Sequence, residues 1–220
     1  MLELYAHPFS SYSWKVLIAL YERDIPFLFQ ALDEEHPQHF VRVKELWPVG
    51  KMPVLVDDGR PVIESSIIIE YLDDDRFGAT GKMIPIDREA ALQARFLDRV
   101  FDNHVMAPMQ SIVNEYLIDA DAPDEGRIAR AKSALDAAYD WLEGQIGEHG
   151  WAVPEEDFGL ADCAAAPALF YADWVYPIGD ARPRLSAYRA RLLEQPSVAR
   201  AVDEARPHRH LFPPGAPDRD

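Results

Sequence analysis

Three serines and a tyrosine, Ser10-Ser11-Tyr12-Ser13, stand at the start of a helical pattern that runs from Trp14 to Arg23. Hydroxyls at a helix N-terminus meet unpaired backbone N–H groups and the positive end of the dipole, where an anion is stabilised. A second constellation is Glu64-Ser65, where a hairpin pattern runs into another helical pattern. A carboxylate there pairs with a cation while the hydroxyl and helix N–H groups hold an anion. A small ligand carrying both an ammonium and a carboxylate fits that combination. A plainer reading stands beside each: the serines cap their helices and Glu64 is a solvated charge. Asp102-Asn103-His104 carries acid–base and metal-binding side chains, but adjacent helical residues point in different directions. His208 and His210 lack a clustered ligand set, so no metal is expected.

Short elements must position these groups. Leu2 to Tyr5 reads as a strand, Trp14 to Arg23 as a helix and Phe27 to Leu32 as a second strand. Phe40, Val43 and Trp47 mark a helix that must end before Pro48. Val54 to Val56 and Pro61 to Ile63 flank Asp57-Asp58-Gly59, a strong hairpin signal. The next helix opens at Ser65 or Ser66, with Ile67/Tyr71 and Ile68/Leu72 spaced to form one broad apolar face. A βαβ unit followed by ββα predicts a thioredoxin-like α/β domain over residues 1–75.

Beyond it the character changes. Residues 76–87, with Gly78, Gly81 and Pro85, read as a linker. Residues 88–206 then form an all-helical domain. Leu92, Phe96 and Val100, with Leu97, Phe101 and Val105, predict one long helix that Pro108 kinks or ends. Ile128, Ala131, Leu135, Ala138, Leu142 and Ile146 predict another. Residues 207–220 form a proline-rich tail expected to be extended.

Composition narrows the function classes. A net charge of −16 disfavours nucleic acid, which needs a basic patch. No stretch is long and apolar enough for a membrane span, and the first residues enter a strand pattern with no basic region and apolar run, so a secretory signal is not expected. The single cysteine, Cys163, excludes an internal disulfide framework and points to a reducing, cytoplasmic setting. On its Ala-rich helix Cys163 reads as a small buried hydrophobe.

The run K-M-P-V-L, the hairpin, then E-S-S-I-I-I-E-Y-L resembles the glutathione-binding domain of cytosolic glutathione transferases. Ser10-Ser11-Tyr12-Ser13-Trp14-Lys15-Val16 resembles the serine-type, zeta- or tau-like members of that family, here a bacterial one. Tyr12 and Lys15 depart from the zeta pattern, which has cysteine and arginine there. The two-domain order matches over nearly the whole chain. Phe158-Gly159-Leu160-Ala161-Asp162 resembles the family's capping box, with Gly159 in place of the usual hydroxyl residue.

The resemblance implies a division of labour. Ser10 would donate to the sulfur of glutathione, with Ser11 as the alternative. Met52, before a cis Pro53, would pair its backbone with the cysteinyl unit, and Glu64 and Ser65 would hold the γ-glutamyl end. Lys51 or His39 would meet the glycine carboxylate. Glutathione is the co-substrate, and the chain is expected to be a homodimer. A thiol of ordinary pKa is only a few per cent ionised at neutral pH, and lowering its pKa by two units takes about 2.7 kcal/mol. A hydroxyl donor at a helix N-terminus contributes to that. His104, Met106 and Met109 could face an electrophile pocket or lie in the core. The implied function is glutathione transfer to a small hydrophobic electrophile, as in detoxification, or a related dehalogenation, ether cleavage or isomerisation. The alternative is a non-catalytic binding or interaction module of the same fold.

Overall fold

The computed structural model describes residues 1–77 and 81–220. Residues 78–80 of the expected linker, Gly78 among them, lie outside the described residues.

Four strands form one sheet in the order β2-β1-β3-β4: β1 (Leu2–Ala6), β2 (Leu28–Ala31), β3 (Val54–Asp57) and β4 (Arg60–Ile63). β1 pairs parallel with β2, Leu4 opposite Phe29, and antiparallel with β3, Leu4 opposite Leu55. The β3–β4 turn is tighter than expected, with only Asp58 and Gly59 between the strands, at φ +46° and +88°. Positive φ at both central residues is what a two-residue hairpin of matching twist requires, and Gly59 accepts it freely.

Helices α1 (Ser11–Glu22), α2 (Pro37–Leu46) and α3 (Ser65–Leu72) complete this part. α1 buries Val16, Leu17 and Leu20 against Leu4, Leu55, Ile68 and Leu72. Two expectations need correction. α2 buries only Val43, which packs with Tyr5 of β1 and Val54 and Val56 of β3, and leaves Phe40 exposed, because it meets the sheet face along a narrow stripe. α3 buries Ile68, Ile69 and Leu72 while Ile67 faces solvent, so its apolar stripe is rotated by one residue.

The second part holds α4 (Arg88–Val100), α5 (Ala107–Ile118), α6 (Glu125–Gln145), α7 (Leu160–Val175), α8 (Pro183–Glu194) and α9 (Pro196–Ala205). Between α4 and α5 the chain stays helical, but Phe101–Met106 widens into a π-helical turn. Pro108 has no N–H to offer its own turn, and the wide turn ahead of it absorbs the mismatch. α7 is the axis of this core: every residue from Leu160 to Trp174 is buried. The exposed Leu92 and Phe96 do not join the core as their spacing suggested; Ala91, Ala94 and Leu97 take that place.

The tail is not extended. Arg206–Leu211 forms a 3₁₀ turn, and Phe212 is buried against Tyr171 and Trp174, with ring centroids at 6.0 and 5.1 Å. Arg219 binds Asp173, and Asp220 bridges Arg206 and Arg209, so the last residues are pinned back onto α7 and the 3₁₀ turn.

Candidate active site

The β1–α1 loop sets the serines. Trp14 Nε1 donates to the Pro8 carbonyl at 2.6 Å, and Ser10 N to the His7 carbonyl at 3.0 Å. Ser10 is the N-cap of α1, and its Oγ accepts from Ser13 N at 3.4 Å. Capping uses an oxygen lone pair, so the Ser10 O–H proton is still free to donate. Ser11 opens the helix and is largely buried, while Ser13 is wholly inside the fold.

A cavity of about 870 Å³ lies between the two halves of the chain. Ser10, Ser11, Lys51, Met52, Pro53, Glu64 and Ser65 all line it, and the Met52–Pro53 bond is cis. Glu64 is the N-cap of α3 at φ +71°, a left-handed conformation that costs a non-glycine residue on the order of 1–3 kcal/mol. That backbone sets the Glu64 carboxylate and the Ser65 hydroxyl side by side at the first turn of α3. Neither serine caps α3 as expected; Ser65 is its first helical residue, and Ser66 bonds to Lys15 and Asp98 instead.

One candidate is not brought to the cavity. His39 lies on α2 with Nδ1 on the Ala31 carbonyl at 2.7 Å and its ring stacked on His36, and it is not among the lining residues. Those two contacts hold the imidazole over the end of β2 and against α2. Lys51 lines the cavity, and no hydrogen bond or ion pair to it occurs among the described residues. Of the three second-domain candidates Met109 lines the cavity, whereas Met106 is core and His104 faces solvent away from it.

Sequence reasoning missed the floor of this site. Lys15 is completely buried, with Nζ 2.7 Å from Asp98 Oδ1, 2.8 Å from Asp102 Oδ2 and 3.0 Å from Ser66 Oγ. Arg99 closes the cluster, with Nη2 at 2.6 Å from each aspartate. Burial raises the Asp102 carboxyl above its ordinary range, against the pull of Lys15. Asp98 and Asp102 lie four apart on one helical face, a visible signal, but their partner on α1 is not legible from spacing. Tyr12 also lines the cavity, its phenol pushed up by burial and then by Asp102. Tyr171, Leu211, Phe212 and Pro213 supply the far wall.

Comparison with known proteins agrees with this layout. The family model for the glutathione S-transferase N-terminal domain matches residues 4–80, and that for the C-terminal domain matches residues 125–191. The chain belongs to the glutathione S-transferase family of enzymes. It is 29% identical over 174 residues to glutathione S-transferase 1 of Dianthus caryophyllus, covering 76% of each chain. It is 26% identical over 171 residues to a probable maleylacetoacetate isomerase of Caenorhabditis elegans, covering 77% of this chain and 78% of that one. A glutathione S-transferase from Methylobacillus flagellatus, crystallised with glutathione bound, superposes with a TM-score of 0.78. It is 25% identical, with 91% of this chain and 98% of that one covered.

Proposed function

We propose that this chain binds glutathione along the first-domain wall of the cavity and holds its sulfur as a thiolate for attack on an electrophile in the second-domain half. The observation that carries the reading is the single wall on which Ser10, Ser11, Lys51, Met52, Glu64 and Ser65 converge. Ser10 donates its free O–H to the sulfur, and the α1 dipole adds to the stabilisation. Ser65 and the first N–H groups of α3 hold the γ-glutamyl carboxylate, and Glu64 pairs with its ammonium. The Met52 backbone meets the cysteinyl unit, and Lys51 takes the glycine carboxylate in place of His39. In conjugation the thiol proton goes to solvent and the sulfur forms a bond to carbon. The leaving group departs with its electron pair, or, in an isomerisation, the same C–S bond breaks again.

The domain plan is part of this proposal: residues 1–75 bind glutathione, 76–87 connect, 88–206 form the helical domain and 207–220 the tail. The chain pairs as a homodimer, for which Ile67 on α3 and Leu92 and Phe96 on α4 supply exposed apolar side chains. It works in the cytoplasm, and among the described residues no helix is long and apolar enough to cross a membrane.

The test is retention on immobilised glutathione, combined with the ultraviolet thiolate absorbance of bound glutathione against pH. Ser10→Ala is expected to shift that titration upward, and Ser11→Ala to leave it nearly unchanged. The reverse pattern would reassign the donor to Ser11. Absence of both retention and thiolate absorbance would favour the non-catalytic interaction module.

A further inference from the structure

Six titratable side chains line the cavity: Tyr12, Lys51, Glu64, Arg99, Asp102 and Tyr171. Five of them are committed. Arg99 binds Asp102, and Asp102 also binds Lys15. Tyr171 holds the Phe9 carbonyl, and Lys51 and Glu64 stand on the wall assigned above to the two ends of glutathione. Tyr12 is different. Its ring packs half-buried against the second-domain core, but among the described residues its hydroxyl has no hydrogen-bond partner and is not sealed in the interior.

Packing alone does not explain that hydroxyl. Seven of the nine tyrosines place theirs on a protein acceptor. The other exception, Tyr116, lies outside the cavity. Burial and then Asp102 keep the Tyr12 phenol protonated at neutral pH, although Arg99 opposes them. Tyr12 stands two residues after Ser10 at the same helix start, so the cavity has a second O–H donor beside the one assigned to the sulfur. Sulfur attack calls for such a donor only with some electrophiles. A displaced halide leaves as a stable anion. An opened epoxide keeps its C–O electron pair on oxygen as an alkoxide, a stronger base than a phenolate. A positioned acid accelerates such a step by roughly 10²–10⁴-fold.

We infer that Tyr12 is the catalytic acid of this site, giving its proton to the oxygen released when the bound thiolate opens an epoxide. The inference rests on the glutathione-thiolate reading above. The sulfur lone pair forms the C–S bond at one ring carbon, and the C–O bond breaks with its electron pair going to oxygen. The Tyr12 proton moves to that oxygen, and the phenolate recovers from solvent the proton that the thiol gave up. One helix start then serves both ends of the reaction, Ser10 at the attacking atom and Tyr12 at the departing one.

The test compares two probes, 1,2-epoxy-3-(4-nitrophenoxy)propane and 4-nitrobenzyl chloride. In the second, sulfur displaces chloride, which takes the C–Cl electron pair and needs no proton. Tyr12→Phe keeps the ring and removes the acid. It is expected to lower the ratio of the two kcat/KM values, epoxide over chloride, by about a hundredfold relative to the parent. The ultraviolet thiolate titration of bound glutathione is expected to stay where it is in the parent. A ratio that does not change, whether both rates hold or both fall together, would reduce Tyr12 to a packing residue and overturn the inference. A thiolate titration moved to higher pH in the variant would assign the phenol to the sulfur and overturn it as well, as would a parent that forms thiolate but does not open the epoxide. Absence of thiolate absorbance in the parent would overturn the underlying reading and this inference with it.

Discussion

The buried hydroxyl of Tyr171 donates to the carbonyl of Phe9 at 3.0 Å, so the central helix of the second domain holds the residue that precedes Ser10. The Phe9 ring stands edge-on to the Tyr171 ring at 5.4 Å, and Phe9 N donates to His7 Nδ1 at 3.1 Å. The serine loop is therefore fixed from both domains, with Trp14 holding Pro8 from the helix side.

Tyr171→Phe removes that hydroxyl and keeps the ring. Loss of one buried hydrogen bond, with a carbonyl left unpaired, costs about 1–3 kcal/mol. The loop is also freed to move, so the bound thiol is expected to titrate at higher pH. Denaturant midpoints and the thiolate absorbance curve of the variant check both parts. A thiolate curve that matches the unaltered protein would show that the latch serves stability alone.

The Lys15 cluster makes a different prediction. Lys15→Met leaves Asp98 and Asp102 buried with only Arg99 to balance two carboxylates, and is expected to cost about 3–5 kcal/mol. Replacing all three as Lys15→Met, Asp98→Leu and Asp102→Leu removes the unpaired charges and should recover much of that loss. Urea unfolding of the single and triple variants decides it. A single variant as stable as the parent would mean that the cluster is not sealed from water.

His7 predicts a pH dependence. Burial lowers the imidazole pKa below its ordinary 6.5, His208 lowers it further with ring centroids 4.9 Å apart, and Asp33 opposes both. The folded chain then takes up this proton later than the unfolded chain as pH falls. The stability tied to neutral His7 is full above pH 6.5 and is lost as pH falls through the depressed folded value. His7→Asn keeps an acceptor for Phe9 N without titrating. Thermal midpoints from pH 7.5 down to about pH 5 are expected to fall more steeply for the parent than for this variant. Parallel curves would exclude His7 as the source.

Much of the fold and about half of the site can be read before any coordinates. The Asp58-Gly59 turn announces itself because few residues other than glycine and Asn/Asp tolerate positive φ. Met52, Pro53, Glu64 and Ser65 form a local word, because one hairpin and one helix start place all four. Periodicity misleads where an apolar residue faces outward: Leu92 and Phe96 have the spacing of a core stripe, yet they are exposed, and smaller alanines on the next face are buried. His39 lies outside the cavity lining for a tertiary reason, since its ring is held at the Ala31 carbonyl and stacked on His36. Lys15 is hidden because a lysine on an amphipathic helix reads as solvated, and only the folded chain brings Asp98 and Asp102 to it across more than 80 residues.

Gly159 sets two opposing effects against each other. The family pattern that the capping box resembles has a hydroxyl residue here, and serine at an N-cap is worth a few tenths of a kcal/mol over glycine. A Cβ at this position would lie 2.6 Å from the Met83 carbonyl oxygen, a backbone atom that itself accepts from Leu160 N at 2.7 Å. Relieving that overlap requires a backbone shift, with overpacking costs of about 1–3 kcal/mol. The steric effect is the larger, so Gly159→Ser is expected to destabilise despite its better cap. The other half of the box is already in place, because Asp162 Oδ2 accepts from Gly159 N at 3.0 Å and Oδ1 from Ala152 N at 2.9 Å. Burial pushes the Asp162 carboxyl up to about 6 even with these donors opposing it. Gly159→Ala, which adds the clash without a hydroxyl, should lose slightly more than Gly159→Ser in urea unfolding. A serine variant more stable than the parent would mean that the Met83 segment yields at little cost.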